Sequence, residues 1–176
     1  MPYQPYITGV WYNKELWEEA GLTEKDIPDT WEDLIKVCRK IRNSDSGLSA
    51  MACDGEYVNL LYGYQLARYL GQERVWQLIH DCTWSQTAEA KQAADDIRRL
   101  FLAGYMSRTS PADHPEGQDE VGNGEAVMVL QGSWTPNEVT EDTGYDDTWG
   151  FFPWPAVKNG TDGTAVSYTH LTLPTI

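Results

Sequence analysis

GEAVMVLQGSW, residues 124–134, is the stretch on which the fold turns. Ala126 to Leu130 is a continuous apolar run with the length and residue types of a buried strand. It follows a Gly122-Asn123-Gly124 turn signal and stops at Gly132-Ser133. Behind Trp134, the residues Thr135, Pro136, Asn137 and Glu138 read as a helix start. A strand that ends in a tight turn and enters a helix presents that turn at its carboxyl end, where ligands of open α/β proteins collect. Trp134 then stands at the mouth of a cleft, with backbone N–H groups of the new helix beside it. From this stretch alone it reads equally as a large core residue at a strand end.

The surrounding composition supports a globular α/β chain. Its 176 residues suit one domain or one lobe of a larger protein. With 41% hydrophobic and 23% charged residues it can bury a core. The net charge of -14, with 13 unclustered basic residues, argues against a nucleic-acid partner. Eight Trp and ten Tyr against three Phe favour half-wet surfaces, because indole and phenol combine an apolar face with a polar handle. Cys38, Cys53 and Cys82 show neither a C-x-x-C pair nor zinc spacing, and His80, His114 and His170 are scattered. No metal site and no cofactor are therefore expected. No stretch is long enough to span a membrane, and Pro2-Tyr3-Gln4-Pro5 is not a signal peptide. The chain is then either cytoplasmic or lacks its true beginning.

Residues 1–12 are extended and aromatic. Asn13 caps a short helix to Ala20, and Thr30 with Asp33 has capping-box spacing before a stronger one. Trp31, Leu34, Ile35, Cys38 and Ile41 recur at helical spacing on its core face. Leu48 to Cys53 reads as a buried strand. A helix follows from Tyr57 to about Leu70, stopped by Gly71, with another over Glu73 to Asp81. Over Thr87 to Tyr105, Ala90, Ala93, Ala94, Ile97, Leu100 and Phe101 form one apolar stripe, with Lys91, Asp95, Asp96, Arg98 and Arg99 outside it. Arg108 to Gln118 is a polar loop with two prolines, and Gln118 to Val121 a short helix. Trp149 to Phe152 is a strand, and the stiff Pro153-Trp154-Pro155 holds Trp154 at its end.

Three strand ends thus carry candidate binding groups: Asp54, Glu56 and Tyr57; Trp134; and Trp154. A sugar offers apolar C–H faces to an indole and hydroxyls to carboxylates. Roughly 80 Å² of stacked area is worth about 2 kcal/mol. Asp54 and Glu56 have an alternative reading as the acid and nucleophile of a glycosidase. The acidic loop also leaves room for a cationic ligand, such as a polyamine or peptide.

VWYNKELWEEAGL (residues 10–22) followed by PDTWEDL (residues 28–34) resembles the extracellular solute-binding proteins of carbohydrate ABC importers. GEAVMVLQGSW is similar to their G-x-x-A-M-x-x-x-G-x-W element, and WGFFPWPAV (residues 149–157) to a later strand. The resemblance implies a periplasmic-binding-protein-like fold of type II, α/β, here a truncated, helix-rich single lobe of two. Residues 1–12 would be a hinge crossing and residues 13–165 the second, C-terminal-type lobe. Residues 166–176, VSYTHLTLPTI, read as a non-native tail. The resemblance places Trp134 on the ring-stacking tryptophan, Tyr57 on an aromatic contact after the second strand, and Tyr6 at a polar hinge contact. Trp154, Asp54 and Glu56 rest on strand-end position alone. It further implies a non-enzymatic binder, extracellular or periplasmic and lipid-anchored, whose partners are a carbohydrate, the permease subunits and the missing first lobe. With half the contacts gone, the chain alone should bind sugar weakly or not at all.

Overall fold

The structure, a computed structural model, describes residues 6–146 and 148–161. Four strands form in chain order: β1 is Thr8–Asn13, β2 Ser49–Ala52, β3 Ala126–Gly132 and β4 Trp149–Phe152. The central apolar run is β3, and all of its residues are buried. A strand with no exposed face needs cover on both sides, which explains an unbroken apolar run in place of alternation. The sheet order is β2-β3-β1-β4. β2 runs parallel to β3, while β1 is antiparallel to both β3 and β4.

Register sorts the side chains onto two faces. Val10 opposes Leu130 and Phe152, and Met128 opposes Tyr12 and Met51; all six belong to the main core. Trp11, Ala52 and Val129 pair on the other face. Helices α1 (Lys14–Glu19), α2 (Trp31–Arg42), α3 (Val58–Asp81) and α4 (Ala88–Leu102) supply Trp17, Leu34, Ile41, Leu61 and Leu100 to the main core. Helix α5 (Glu116–Gly122) covers the second face with Val121. Helix α6 (Thr135–Thr143) follows β3 and packs on α5. Each fully buried Leu or Ile is worth roughly 1.5–3 kcal/mol relative to exposure.

Local chemistry sets the helix starts. The Asn13 side chain accepts from the N–H groups of Glu15 and Leu16 at 3.0 and 3.2 Å. Thr30 Oγ1 accepts from the Asp33 N–H at 3.2 Å, but the Asp33 carboxylate accepts from the Thr30 hydroxyl, at 2.6 Å. The reciprocal capping box forms instead at Thr23 and Asp26, before a short 3-10 turn. Gly71 interrupts α3 as expected: its φ of 74° is not helical, so the two expected helices meet there as a kinked one.

Helix α4 departs from its expected stripe. Ala94 is exposed and Asp96 is 7% exposed. Asp96 faces α3, where its carboxylate accepts from Gln65 Nε2 and the Tyr69 hydroxyl, both at 2.7 Å, and from Gln92 at 3.0 Å. Three donors make burial of this charge tolerable. Residues 1–5 of the expected hinge crossing and the whole of the expected tail lie outside the described residues.

Candidate functional site

The sheet brings three chain segments to one edge. β3 ends at Gly132 and enters α6 through Ser133 and Trp134. β1 begins at Thr8, opposite Gly132, so Tyr6 and Ile7 arrive beside that turn. The Ile7 N–H donates to Ser133 Oγ at 3.4 Å. β2, parallel to β3, ends at Ala52 and passes through Asp54 and the 3-10 turn Gly55–Tyr57 into α3. The result is a row of rings. Trp134 lies 5.5 Å from Tyr6, edge-on at 76°, and 6.0 Å from Tyr57 at 42°. Tyr57 meets His114 edge-on at 5.3 Å. Tyr6 is 39% exposed, while Trp134 and Tyr57 are half-buried. Gly132 makes room: a Cβ there would overlap the six-membered ring of Trp134.

The expected helix N–H groups are not available beside Trp134 at two positions. Those of Asn137 and Glu138 bond the Trp134 carbonyl at 3.0 and 3.1 Å.

Asp54 stands differently from its expected place among the ligand contacts. It is 1% exposed, and its carboxylate accepts from the Gly117 N–H at 2.7 Å and Gln131 Nε2 at 3.2 Å, with His114 Nδ1 at 3.4 Å. These partners come from α5, the end of β3 and the 108–118 loop. Asp54 therefore supports the aromatic row from beneath, with its acceptor capacity spent inside the protein. Glu56 is exposed on the turn before Tyr57. The two acids considered as a glycosidase pair thus sit in unlike surroundings, one sealed and one in solvent.

Trp154 is also corrected. It is 1% exposed in the main core, 5.9 Å from Trp31, and its Nε1–H donates to Gln65 Oε1 at 2.8 Å. The two prolines do hold it, but they turn it inward. Sequence reasoning missed His114 and Gln131. His114 lies in an aperiodic polar loop, and Gln131 sits between apolar residues of a strand; neither carries a local signal of its partner.

The electrostatics under the row are acidic. Burial first, then Glu138, Asp54 and Glu56, raises the Tyr57 phenol, so it stays a neutral hydroxyl. Asp119 of α5 has a buried Oδ1 with no hydrogen-bond partner among the described residues. Burial, then Asp142 and Asp54, push its carboxyl up to about 6; His114 opposes and Glu138 adds. A folded value above the unfolded 3.8 means that the penalty is present above pH 6 and fades as the pH falls toward 4. Asp119→Asn is therefore expected to stabilise the protein at pH 7 by about 1 kcal/mol, partial solvent contact having reduced the full effect. Thermal unfolding at both ends of that window checks it: the gain should vanish near pH 4. An equal gain at both would assign the effect to something other than ionisation.

Among the described residues no group of three His, Cys, Asp or Glu could hold a metal ion. No described helix is long and apolar enough to cross a membrane.

The profile of the bacterial extracellular solute-binding proteins matches residues 1–175. No curated protein matches the sequence significantly. Among solved structures, a chitin oligosaccharide binding protein superposes with a TM-score of 0.82 at 23% identity, over 96% of this chain and 43% of its own. The bacterial solute receptor AcbH, described as exclusively preferring β-D-galactopyranose, gives 0.71 at 24% identity, over 89% and 39%. An ABC transporter solute-binding protein from Thermotoga lettingae, bound with α-D-tagatose, gives 0.71 at 19% identity, over 95% and 42%. The chain thus spans between 39% and 43% of the length of these three proteins. Their likeness establishes the fold as that of type II periplasmic binding proteins, helix-rich α/β around a mixed sheet. With its match running from residue 1 to residue 175, the chain belongs to the bacterial extracellular solute-binding protein family, whose members are binders and not enzymes.

Proposed function

We propose that the chain is the second lobe of the substrate-binding component of an ABC importer, and that a sugar or oligosaccharide stacks on Trp134. The observation that carries this reading is the contiguous row Tyr6–Trp134–Tyr57, assembled from three segments at one sheet edge and left partly open to solvent. The structural neighbours named above are described as binding chitin oligosaccharide, galactopyranose and tagatose, which supports a carbohydrate. In the whole protein the first lobe would close on the opposite side of the ligand, and the closed form would dock on the permease. The setting is extracellular or periplasmic, with the whole protein held at the membrane by a lipid anchor.

One stacked ring worth about 2 kcal/mol corresponds to a Kd of tens of millimolar. The 176-residue chain should therefore bind only weakly. Titration with chitobiose, galactose and tagatose, followed by the indole NMR signals, should move Trp134 in fast exchange, and Trp134→Ala should abolish the response. A panel of sugars that leaves the Trp134 indole unmoved at about 100 mM, where such a site would be largely filled, would sink the sugar reading. A response to spermidine or a peptide in its place would redirect it to a cationic ligand.

A further inference from the structure

We propose that His114, held by Asp54, is the polar specificity residue of the aromatic face, its Nε2 accepting a hydrogen bond from a hydroxyl of a neutral sugar. This rests on reading that face as a sugar site. The argument begins with Asp54, whose buried carboxylate already receives two strong donors, from Gly117 and Gln131. An ionised carboxylate only accepts, so the His114 nitrogen facing it at 3.4 Å, Nδ1, must carry a hydrogen. In the neutral ring that leaves Nε2 with a bare lone pair.

Nε2 is free to use it. The His114 side chain is 30% exposed. Nε2 has no hydrogen-bond partner among the described residues, and it is not among the buried polar atoms left without one. It is therefore open to solvent. The ring is also fixed in place: Asp54 holds one edge and Tyr57 meets it at 84° and 5.3 Å. A rigid acceptor next to stacking rings is how a binding site reads a hydroxyl, since most of the ordering cost has been met before the ligand arrives.

The surroundings add a selection by charge. The groups facing His114 are Asp54 after β2, Asp119 on α5 and the Tyr57 phenol, and Glu56 and Glu138 act in turn on Tyr57. A uronic acid would place its carboxylate among these negative charges, whereas the corresponding neutral sugar would not. Galactose should therefore bind better than galacturonic acid.

The test has a part that needs no ligand. Ring-nitrogen NMR of the 15N-labelled chain, recorded where the ring is neutral, should show His114 with hydrogen on Nδ1 and none on Nε2. Asp54→Asn should shift it toward the mixture of tautomers seen for a free histidine. In the second part, galactose, chitobiose and galacturonic acid are titrated while the Trp134 indole and His114 Nε2 are followed together. Neutral sugars should move both signals, and His114→Ala should weaken them about fivefold to tenfold, the loss of one hydrogen bond, with Trp134 still responding. A native ring with hydrogen on Nε2 overturns the inference without reference to any ligand. Movement of Trp134 alone, or unchanged affinity in His114→Ala, overturns it while the sugar site stands. If neither signal moves with any sugar, the sugar reading itself falls, and this inference with it.

Discussion

Trp154→Ala is expected to destabilise the protein by roughly 3–5 kcal/mol, the range for truncating a fully buried large aromatic. Two separate losses add to it. The first is volume: Trp154 is 1% exposed and packs against Trp31, so its removal opens a cavity in the main core. The second is a hydrogen bond, because Gln65, itself fully buried, loses the indole N–H that reached its Oε1. Gln65 also donates to Asp96, so the truncation loosens a buried chain that runs on to the Tyr69 hydroxyl. The Trp154 carbonyl, which accepts from Arg68 Nε at 2.9 Å, survives the substitution. Trp154→Phe separates the two causes: it restores most of the volume, takes away the donor to Gln65 Oε1, and should cost about 1–3 kcal/mol. Urea unfolding checks both, with the midpoint falling and the slope unchanged. A loss under 1 kcal/mol for the alanine variant would mean that Trp154 is not in the core.

How much of this was legible in the sequence depended on how local each cause was. The strands and helices announced themselves because burial of β3 on both faces demands a continuous apolar run, and burial of α2 on one face demands a helical period. The positions of Tyr57 and Trp134 were legible as strand ends: they follow the carboxyl ends of parallel neighbours, β2 and β3. Tyr6 was named on the family resemblance alone, and what brings it beside Trp134 is the register, which starts β1 opposite Gly132. Direction was not legible. Pro153-Trp154-Pro155 says that Trp154 is held, but whether it faces core or cleft depends on Gln65 and Trp31, far away in the chain. Asp54 reads as a candidate ligand contact because its internal donors are contributed by residues 117 and 131, which no window around residue 54 contains. Asp96 was misplaced in the same way, since its partners Gln65 and Tyr69 are on another helix.

Gly117→Ala should reverse the usual sign of its kind of substitution. Gly117 lies in the first turn of α5, and exchanging a helical glycine for alanine ordinarily stabilises by roughly 0.5–1 kcal/mol. Here a Cβ would stand 2.6 Å from Asp54 Oδ1, 2.7 Å from the Cys53 carbonyl carbon and 2.8 Å from the Asp54 nitrogen. Two of these are backbone atoms at the end of β2, which Ala112 pins in turn through bonds to Cys53 and Gly55. They cannot swing aside as a surface side chain can. Either α5 retreats and breaks the Gly117 N–H bond to Asp54, or β2 moves and opens the parallel pairing with β3. Overpacking of about 1–3 kcal/mol, together with a weakened bond to a buried carboxylate, gives an expected loss of about 2–4 kcal/mol. Gly132→Ala provides the contrast, because its Cβ would meet the half-exposed ring of Trp134, which can rotate away. That variant should disturb the proposed stacking face while keeping most of its stability. Measured side by side, the two glycines separate the support of the site from its surface: residue 117 should register in unfolding, and residue 132 in the response of the Trp134 indole to sugar. A Gly117→Ala protein more stable than its parent would mean that α5 does not approach β2 as closely as the Asp54 bond requires.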